Sequence, residues 1–262
     1  MKKIILETKG LTKNFDGLTA VDSVDFQLKE GERVGIIGPN GAGKTTFFNL
    51  LTGLFFPSSG KILHVDKRTE DITDTQPYHR VKMGIIRTFQ LVSVFNSLKV
   101  LDNLVLANIR FSEDYKIKRR FFFKNIHHPD LVEKGLKALT IMGLERKSTV
   151  MTGELPYGDK RKLEIAIALA LEPKILLLDE PFSGLSDAEI EEVLNLIEKI
   201  MGRFALIIIE HKISRIVDLV QRLSVMHEGR MIADGTPQDV LKDPRVREVY
   251  WGKEEVFKCS YN

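Results

Sequence analysis

The chain has 262 residues, 43% apolar and 29% charged, enough for a substantial core and unlike a disordered or low-complexity polymer. Its 39 basic and 36 acidic residues leave a formal charge of +3, too balanced to argue for a nucleic-acid partner. The single cysteine, Cys259, excludes an internal disulfide and fits a reducing compartment.

The apolar start at Ile4-Ile5-Leu6 is interrupted by Glu7, Lys9 and Lys13 before a signal-peptide core could form. No apolar run approaches the roughly 20 residues of a membrane-spanning helix. A cytoplasmic chain is therefore expected, with any membrane role peripheral and through a partner. Short strands are expected over Ile4–Leu6 and Val24–Leu28, with a turn at Asp16-Gly17 between them. Arg33–Ile37, a short apolar run bounded by glycines, suits a buried central strand. A helix should run from Lys44 to about Thr52 and stop at Gly53.

The middle of the chain, roughly Pro77 to Gly153, is expected to be mainly helical. Leu98, Val100, Leu101, Leu104 and Val105 recur at helical spacing, as do Leu131, Val132, Leu136, Leu139 and Met142. The basic-aromatic stretch Lys116–Lys124 suits a solvated insertion better than a contact for anionic lipid or a membrane subunit. Gly158–Leu171 reads as another helix, ended by Glu172-Pro173. Ile175–Leu178, Ala205–Ile209 and Leu223–Met226 read as strands. Ser186–Ile200 is an amphipathic helix with Ile190, Val193, Leu194, Ile197 and Ile200 on one face and a capping box of Ser186 with Glu189. Alternating strands and helices imply an α/β fold, a mostly parallel sheet flanked by helices.

Two motifs carry chemistry. Gly38-Pro39-Asn40-Gly41-Ala42-Gly43-Lys44-Thr45 fits the P-loop pattern, after a strand and before a helix. Its glycines let backbone N–H groups approach phosphate oxygens, and the helix start adds partial positive charge. Lys44 would reach the terminal phosphates, and Thr45 would offer its hydroxyl to Mg²⁺. Thr46 completes the nucleotide-binding set. The second motif is the pair Asp179-Glu180 at the end of an apolar strand. Asp179 would hold Mg²⁺, directly or through water, and Glu180 would orient and polarise an attacking water. ATP with Mg²⁺ is the expected ligand and hydrolysis the expected reaction.

Over essentially the whole chain, this order of motifs resembles the nucleotide-binding subunits of the ATP-binding cassette (ABC) family. The resemblance implies one ATPase domain: a P-loop NTPase core, an N-terminal antiparallel β subdomain, and a helical signature lobe at about 91–172 inserted in a RecA-like core. It assigns Gln90, in Arg87-Thr-Phe-Gln90, to the loop that senses Mg²⁺ and the γ-phosphate and meets the membrane partner. It assigns His211 to the γ-phosphate, Phe15 to adenine stacking and Val21 to a small apolar contact with the nucleotide. The family signature, usually Leu-Ser-Gly-Gly-Gln, reads Leu155-Pro156-Tyr157-Gly158-Asp159 here. In the family this element closes on ATP held by a second subunit. Pro156 has neither hydroxyl nor N–H, so one or two phosphate contacts are expected to be missing, although a proline also starts a helix well. Ser186 stands where the family usually has an Asp.

Locally, Arg87-Thr-Phe-Gln90, Leu163-Glu-Ile-Ala166, Ile209-Glu-His211 and the tail Glu228–Pro237 are similar to the ATPase subunits of branched-chain amino acid importers. Urea and lipopolysaccharide systems share parts of this pattern and stay open, as does a weakly hydrolysing ABC regulator. A P-loop kinase would have no use for Gln90, the signature or His211. The resemblance implies a dimer with a second ABC ATPase subunit, identical or related, and membrane permease subunits docked near Gln90 to Phe95.

Overall fold

A computed structural model describes residues 2–90, 92–111, 128–211 and 213–250. The stretch 116–124, Leu91 and the chain end from Trp251 lie outside the described residues.

The Asp16-Gly17 turn, with φ of 38° and 93°, joins strands β1 (Ile4–Phe15) and β2 (Leu18–Lys29). Two residues at positive φ give the turn whose twist matches that of paired strands. Both strands are longer than their apolar ends suggest, because the polar residues between those ends belong to an antiparallel pair with one wet face. Strands β4 (Ser59–Val65) and β5 (Thr69–Asp71) complete a four-stranded antiparallel sheet in the order β2-β1-β4-β5.

The second sheet is built from β3 (Arg33–Ile37), β6 (Ile85–Arg87), β7 (Ile175–Asp179), β8 (Ala205–Ile209), β9 (Arg222–His227) and β10 (Arg230–Gly235). Its order is β10-β9-β3-β8-β7-β6. β3 pairs in parallel with β8 and β9, β7 pairs in parallel with β8, and β10 is an antiparallel edge. The central strands β7 and β8 are buried along their whole length, as unbroken apolar runs require. The α/β expectation holds. β6 is a correction: three residues are too few to display a period, so the strand was hidden in a segment read as helical.

The chain forms two compact units. The first comprises Met1–Ile85, Ile175–Glu180 and the residues from Gly202 onward; the second comprises Ile86–Lys174 and Pro181–Met201. In the first, α1 (Lys44–Thr52) contributes Phe47, Phe48, Leu50 and Leu51 to a core with Leu6, Val34, Leu177 and Ile207. Gly53 ends α1 in the left-handed conformation, φ 78°, as expected of a glycine stop. The short helices α2 (Pro77–Lys82) and, later in the chain, α7 (Pro237–Val240) each start on a proline.

The second unit holds α3 (Val100–Phe111), α4 (Pro129–Ile141), α5 (Tyr157–Ala170) and α6 (Asp187–Ile200). A Cβ on Gly135 of α4 would stand 2.9 Å from Leu101 of α3, so the glycine permits their close approach. Leu98 falls just before α3. Ser186 caps α6 with both halves of the capping box formed. The buried stripe of α6 runs through Ile190, Val193, Leu196, Ile197 and Ile200, whereas Leu194 is half-buried.

Candidate active site

The P-loop leaves the C-terminal end of β3, where open parallel sheets present their ligand crevices. The loop is held from behind. Ala42 N–H donates to Pro39 O at 3.2 Å, Gly229 N–H to Ala42 O at 3.1 Å, and Asp22 N–H to Gly229 O at 2.9 Å. The turn between β9 and β10 thus braces the loop against β2. At Gly43, φ is 97° and a Cβ would lie 2.2 Å from Ala20 O, so only glycine fits. Gly43 caps α1 without a side-chain hydrogen bond, and the first turn of α1 carries no acidic residue. The helix start therefore keeps its donors and its positive end for an anion.

Lys44 is only 5% exposed, and its Nζ donates to Gly38 O at 2.7 Å and Pro39 O at 2.9 Å. Burial holds its pKa below the usual lysine value, while the nearby carboxylates of Glu180 and Asp179 oppose that shift. Thr45 is exposed and Thr46 half-buried at the top of α1.

The two carboxylates are positioned by strand pairing. Asp179 ends β7, opposite Ile209 at the end of β8, and is 1% exposed. Glu180 N–H continues the ladder by one bond, donating to Ile209 O at 3.0 Å. Glu180 then turns out of the sheet at φ 46°, a conformation that costs a side-chain-bearing residue about 1–2 kcal/mol. Its Oε1 lies 2.7 Å from Nε2 of His211. A basic Lys44, a buried Asp179 and a hydrogen-bonded Glu180–His211 pair are the groups needed to hold phosphates and polarise water.

Among the described residues no cluster of three or more His, Cys, Asp and Glu side chains could enclose a metal ion. Thr45 and Asp179 are instead the sparse oxygen donors that Mg²⁺ takes when substrate phosphates and water complete its shell, so the residues fit that ion.

Phe15 is 37% exposed at the end of β1. Phe55 meets it edge to face at 5.3 Å between centroids, and Lys13 Nζ lies 5.0 Å over the Phe15 ring. Val21 is fully buried in the core of the first unit. Sequence reasoning missed Phe55 and Lys13; the Phe55-Phe56 pair, apolar yet following a helix stop, was the available signal.

The second unit holds the remaining expected residues. Gln90 is exposed, and its carbonyl accepts from Arg161 Nη2 at 3.0 Å. Pro156 is the N-cap of α5, one position earlier than a helix-starting proline at the first helical residue, and provides no side-chain cap. Tyr157 is 44% exposed and packs on Gly184. Gly158 sits where a Cβ would meet Glu189 Oε1 at 2.3 Å. Asp159 is 7% exposed, paired with Lys162 at 2.7 Å and also with Lys147.

Residues 21–183 match the profile of the ABC transporter family, and residues 230–256 match that of the branched-chain amino acid ATP-binding cassette transporter. The chain is 34% identical to the high-affinity branched-chain amino acid transport ATP-binding protein LivG of Escherichia coli K12, covering 97% of this chain and 100% of that protein. BraF of Pseudomonas aeruginosa, a protein described in the same words, is also 34% identical with the same coverage. Among solved structures, the ADP conformation of an ATP-binding cassette of an ABC transporter superposes with a TM-score of 0.84 at 32% identity, covering 96% of this chain and all of that one. The chain belongs to the ABC transporter family and is its ATP-hydrolysing cassette subunit.

Proposed function

We propose that this cassette powers the uptake of branched-chain amino acids through a separate membrane permease. The observation that carries the reading is the end-to-end similarity to LivG and BraF, joined to the match at 230–256, a segment outside the phosphate-handling motifs. Among the described residues no helix is long and apolar enough to cross a membrane, which agrees with a peripheral subunit on the cytoplasmic face, docked near Gln90 to Phe95. The working unit is a pair of such cassettes, identical or related, each one ATPase domain with a helical lobe at about 91–172.

The site residues then divide the work. The P-loop N–H groups of Gly41 and of Gly43 to Thr46 cradle the phosphates of ATP, while the Ala42 N–H stays on Pro39 O. Lys44 exchanges the carbonyls of Gly38 and Pro39 for charged phosphate oxygens, which offsets the burial that disfavours its cation. Thr45, Asp179 and Gln90 would hold Mg²⁺, whose charge would offset that of the phosphate oxygens. His211 takes one oxygen of Glu180, leaving the other to accept a hydrogen bond from water. That water bonds to the γ-phosphorus as the bond to the β–γ bridging oxygen breaks, and it gives up a proton to the Glu180 carboxylate, which returns it to solvent, as inorganic phosphate forms. His211 also faces the γ-phosphate, Phe15 stacks on adenine, and Pro156–Asp159 of the second subunit close over the nucleotide; Val21, wholly buried, supports the first unit's core and offers the nucleotide no surface, against the expectation for it.

The test is uptake of labelled leucine, isoleucine and valine in cells lacking this chain. Uptake should be lost, then restored by the wild-type chain and not by Glu180→Gln. Unchanged uptake of all three would remove the amino acid assignment and leave the ATPase assignment standing.

A further inference from the structure

The second unit contains a buried ion pair that touches no residue so far given a role in hydrolysis except through the backbone. Arg161 is fully buried on α5 and Glu164, one turn later, is 6% exposed. Arg161 Nη1 and Glu164 Oε2 are 2.7 Å apart. The same guanidinium donates from Nη1 to Phe89 O at 2.7 Å and from Nη2 to Gln90 O at 3.0 Å. Glu164 Oε1 accepts the Phe89 N–H at 2.9 Å, and the Ser93 N–H also donates to this carboxylate. Burial raises the Glu164 pKa, with its contacts to Phe89, Arg161 and Ser93 opposing. The cost of desolvating two charges is thus met by hydrogen bonds aimed almost wholly at one loop. That loop carries Gln90, while its Phe89 side chain is 42% exposed. At its far end, Asn103 accepts from Phe95 N–H at 2.8 Å and donates to Thr152 Oγ1 at 3.0 Å.

We infer that Arg161 and Glu164 are positioning residues that fasten the Gln90 segment to the signature helix, so that the loop and the signature of one subunit move as a single body. The inference rests on the proposed role of Gln90. Its logic is geometric: Arg161 and Glu164 lie on the same helix as the signature at 156–159, two and five residues beyond its end. A displacement imposed on residues 89–93 by a docked permease is therefore delivered to the start of α5.

The experiment uses the full-length chain carrying Arg161→Met with Glu164→Met. Replacing both charges by apolar groups of similar length avoids an unpaired buried charge, and the backbone groups it frees belong to the exposed residues Phe89, Gln90 and Ser93, where water can replace the pair, so the melting temperature should fall but the chain should still fold. The clamp predicts that kcat falls on the order of ten- to a hundred-fold with KM for ATP nearly unchanged, and that hydrogen exchange at the Phe89 amide accelerates. In a Gln90→Ala background the double substitution should add little further loss. A double variant with wild-type kcat and wild-type Phe89 exchange overturns the clamp alone, provided Gln90→Ala is itself impaired. Normal turnover in Gln90→Ala removes the reading of Gln90 and the inference with it. Should the double variant not fold, Arg161→Lys gives the same readouts, since it keeps the charge opposite Glu164 and loses the two-carbonyl fork.

Discussion

Glu180 Oε1 lies 2.7 Å from His211 Nε2, and strand register brings the two together. Asp179 and Ile209 are partners in the parallel pairing of β7 with β8, so the residue after Asp179 and the second residue after Ile209 emerge side by side at the same sheet end. The positive φ of Glu180 then aims its carboxylate across the gap. Glu180→Gln keeps the shape and one acceptor oxygen but removes the charge that polarises water. Turnover should fall by about 10²–10⁴-fold while nucleotide affinity is retained, and the variant should accumulate as an ATP-bound dimer. Light scattering with and without Mg-ATP, beside steady-state phosphate release, checks both halves. Normal release by this variant would take Glu180 out of the reaction.

Pro156 makes a second prediction. It is the N-cap of α5 at φ −55° and ψ 156°, with no side-chain acceptor for the first helical N–H groups. Serine accepts this backbone conformation and adds both a cap and the N–H that proline lacks. Pro156→Ser should therefore raise stability by about 1 kcal/mol and increase ATP turnover. A rise in melting temperature without faster turnover would mean that the missing contacts to phosphate do not limit the reaction.

Asp159 gives a pH dependence. Its burial acts to raise its pKa, but hydrogen bonds from Lys147 and Lys162 win and hold it below the usual aspartate value. A carboxylate depressed in the folded state stabilises at pH above its unfolded pKa, and that contribution disappears as pH falls through the folded value. Lys162, whose pKa is raised by its bonds to Asp159 and Glu192 against its own burial, loses its share only as pH climbs beyond the usual lysine range. Asp159→Asn should thus be less stable than wild type at neutral pH, and the gap should close in acid below the usual carboxylate range. Urea unfolding at a series of pH values measures the gap; a constant difference would show packing, not charge, to be the cause.

The parts of this site that a sequence displays are those in which chemistry and backbone demand the same residues. The P-loop glycines, Lys44, the Asp179-Glu180 pair and the central strands are of that kind, because a continuous apolar run can only be a buried parallel strand or a buried helix. What stayed hidden depends on partners distant in the chain. Arg161 stands in the run Lys160-Arg161-Lys162, and nothing in three consecutive basic residues tells which one will be fully buried. Val21 carries no sign that it lies wholly in the core. β6 is too short to show its period, and β1 and β2 are too polar in their middles to show their length.

Arg80 is the other fully buried arginine, and it holds the far end of the phosphate-binding helix. Nη1 donates to Leu50 O at 2.6 Å, which also accepts the Gly53 N–H, and to Leu51 O at 2.9 Å, both among the last carbonyls of α1. Nη2 reaches Ile72 O at 2.7 Å and Thr73 O at 3.0 Å, and Nε reaches Thr75 O at 2.9 Å. Burial brings its pKa down to about 10, partly offset by Asp74, so it remains a cation at neutral pH, facing the negative end of the α1 dipole. Arg80→Met would fill much of the same space but donate to none of the five carbonyls, of which Leu50 O keeps the Gly53 N–H and Ile72 O keeps the Thr75 N–H. The loss should be on the order of 3 kcal/mol or more, a large share of the stability of an ordinary domain. Arg80→Lys should recover only part of it, since one ammonium cannot reach five carbonyls in the plane of a guanidinium. Because Lys44 opens the same helix that Arg80 closes, KM for ATP should rise in Arg80→Met even well below its melting temperature. Denaturant titration with parallel ATP kinetics tests both effects. A stability loss under about 1 kcal/mol would mean that water replaces the guanidinium at the end of α1.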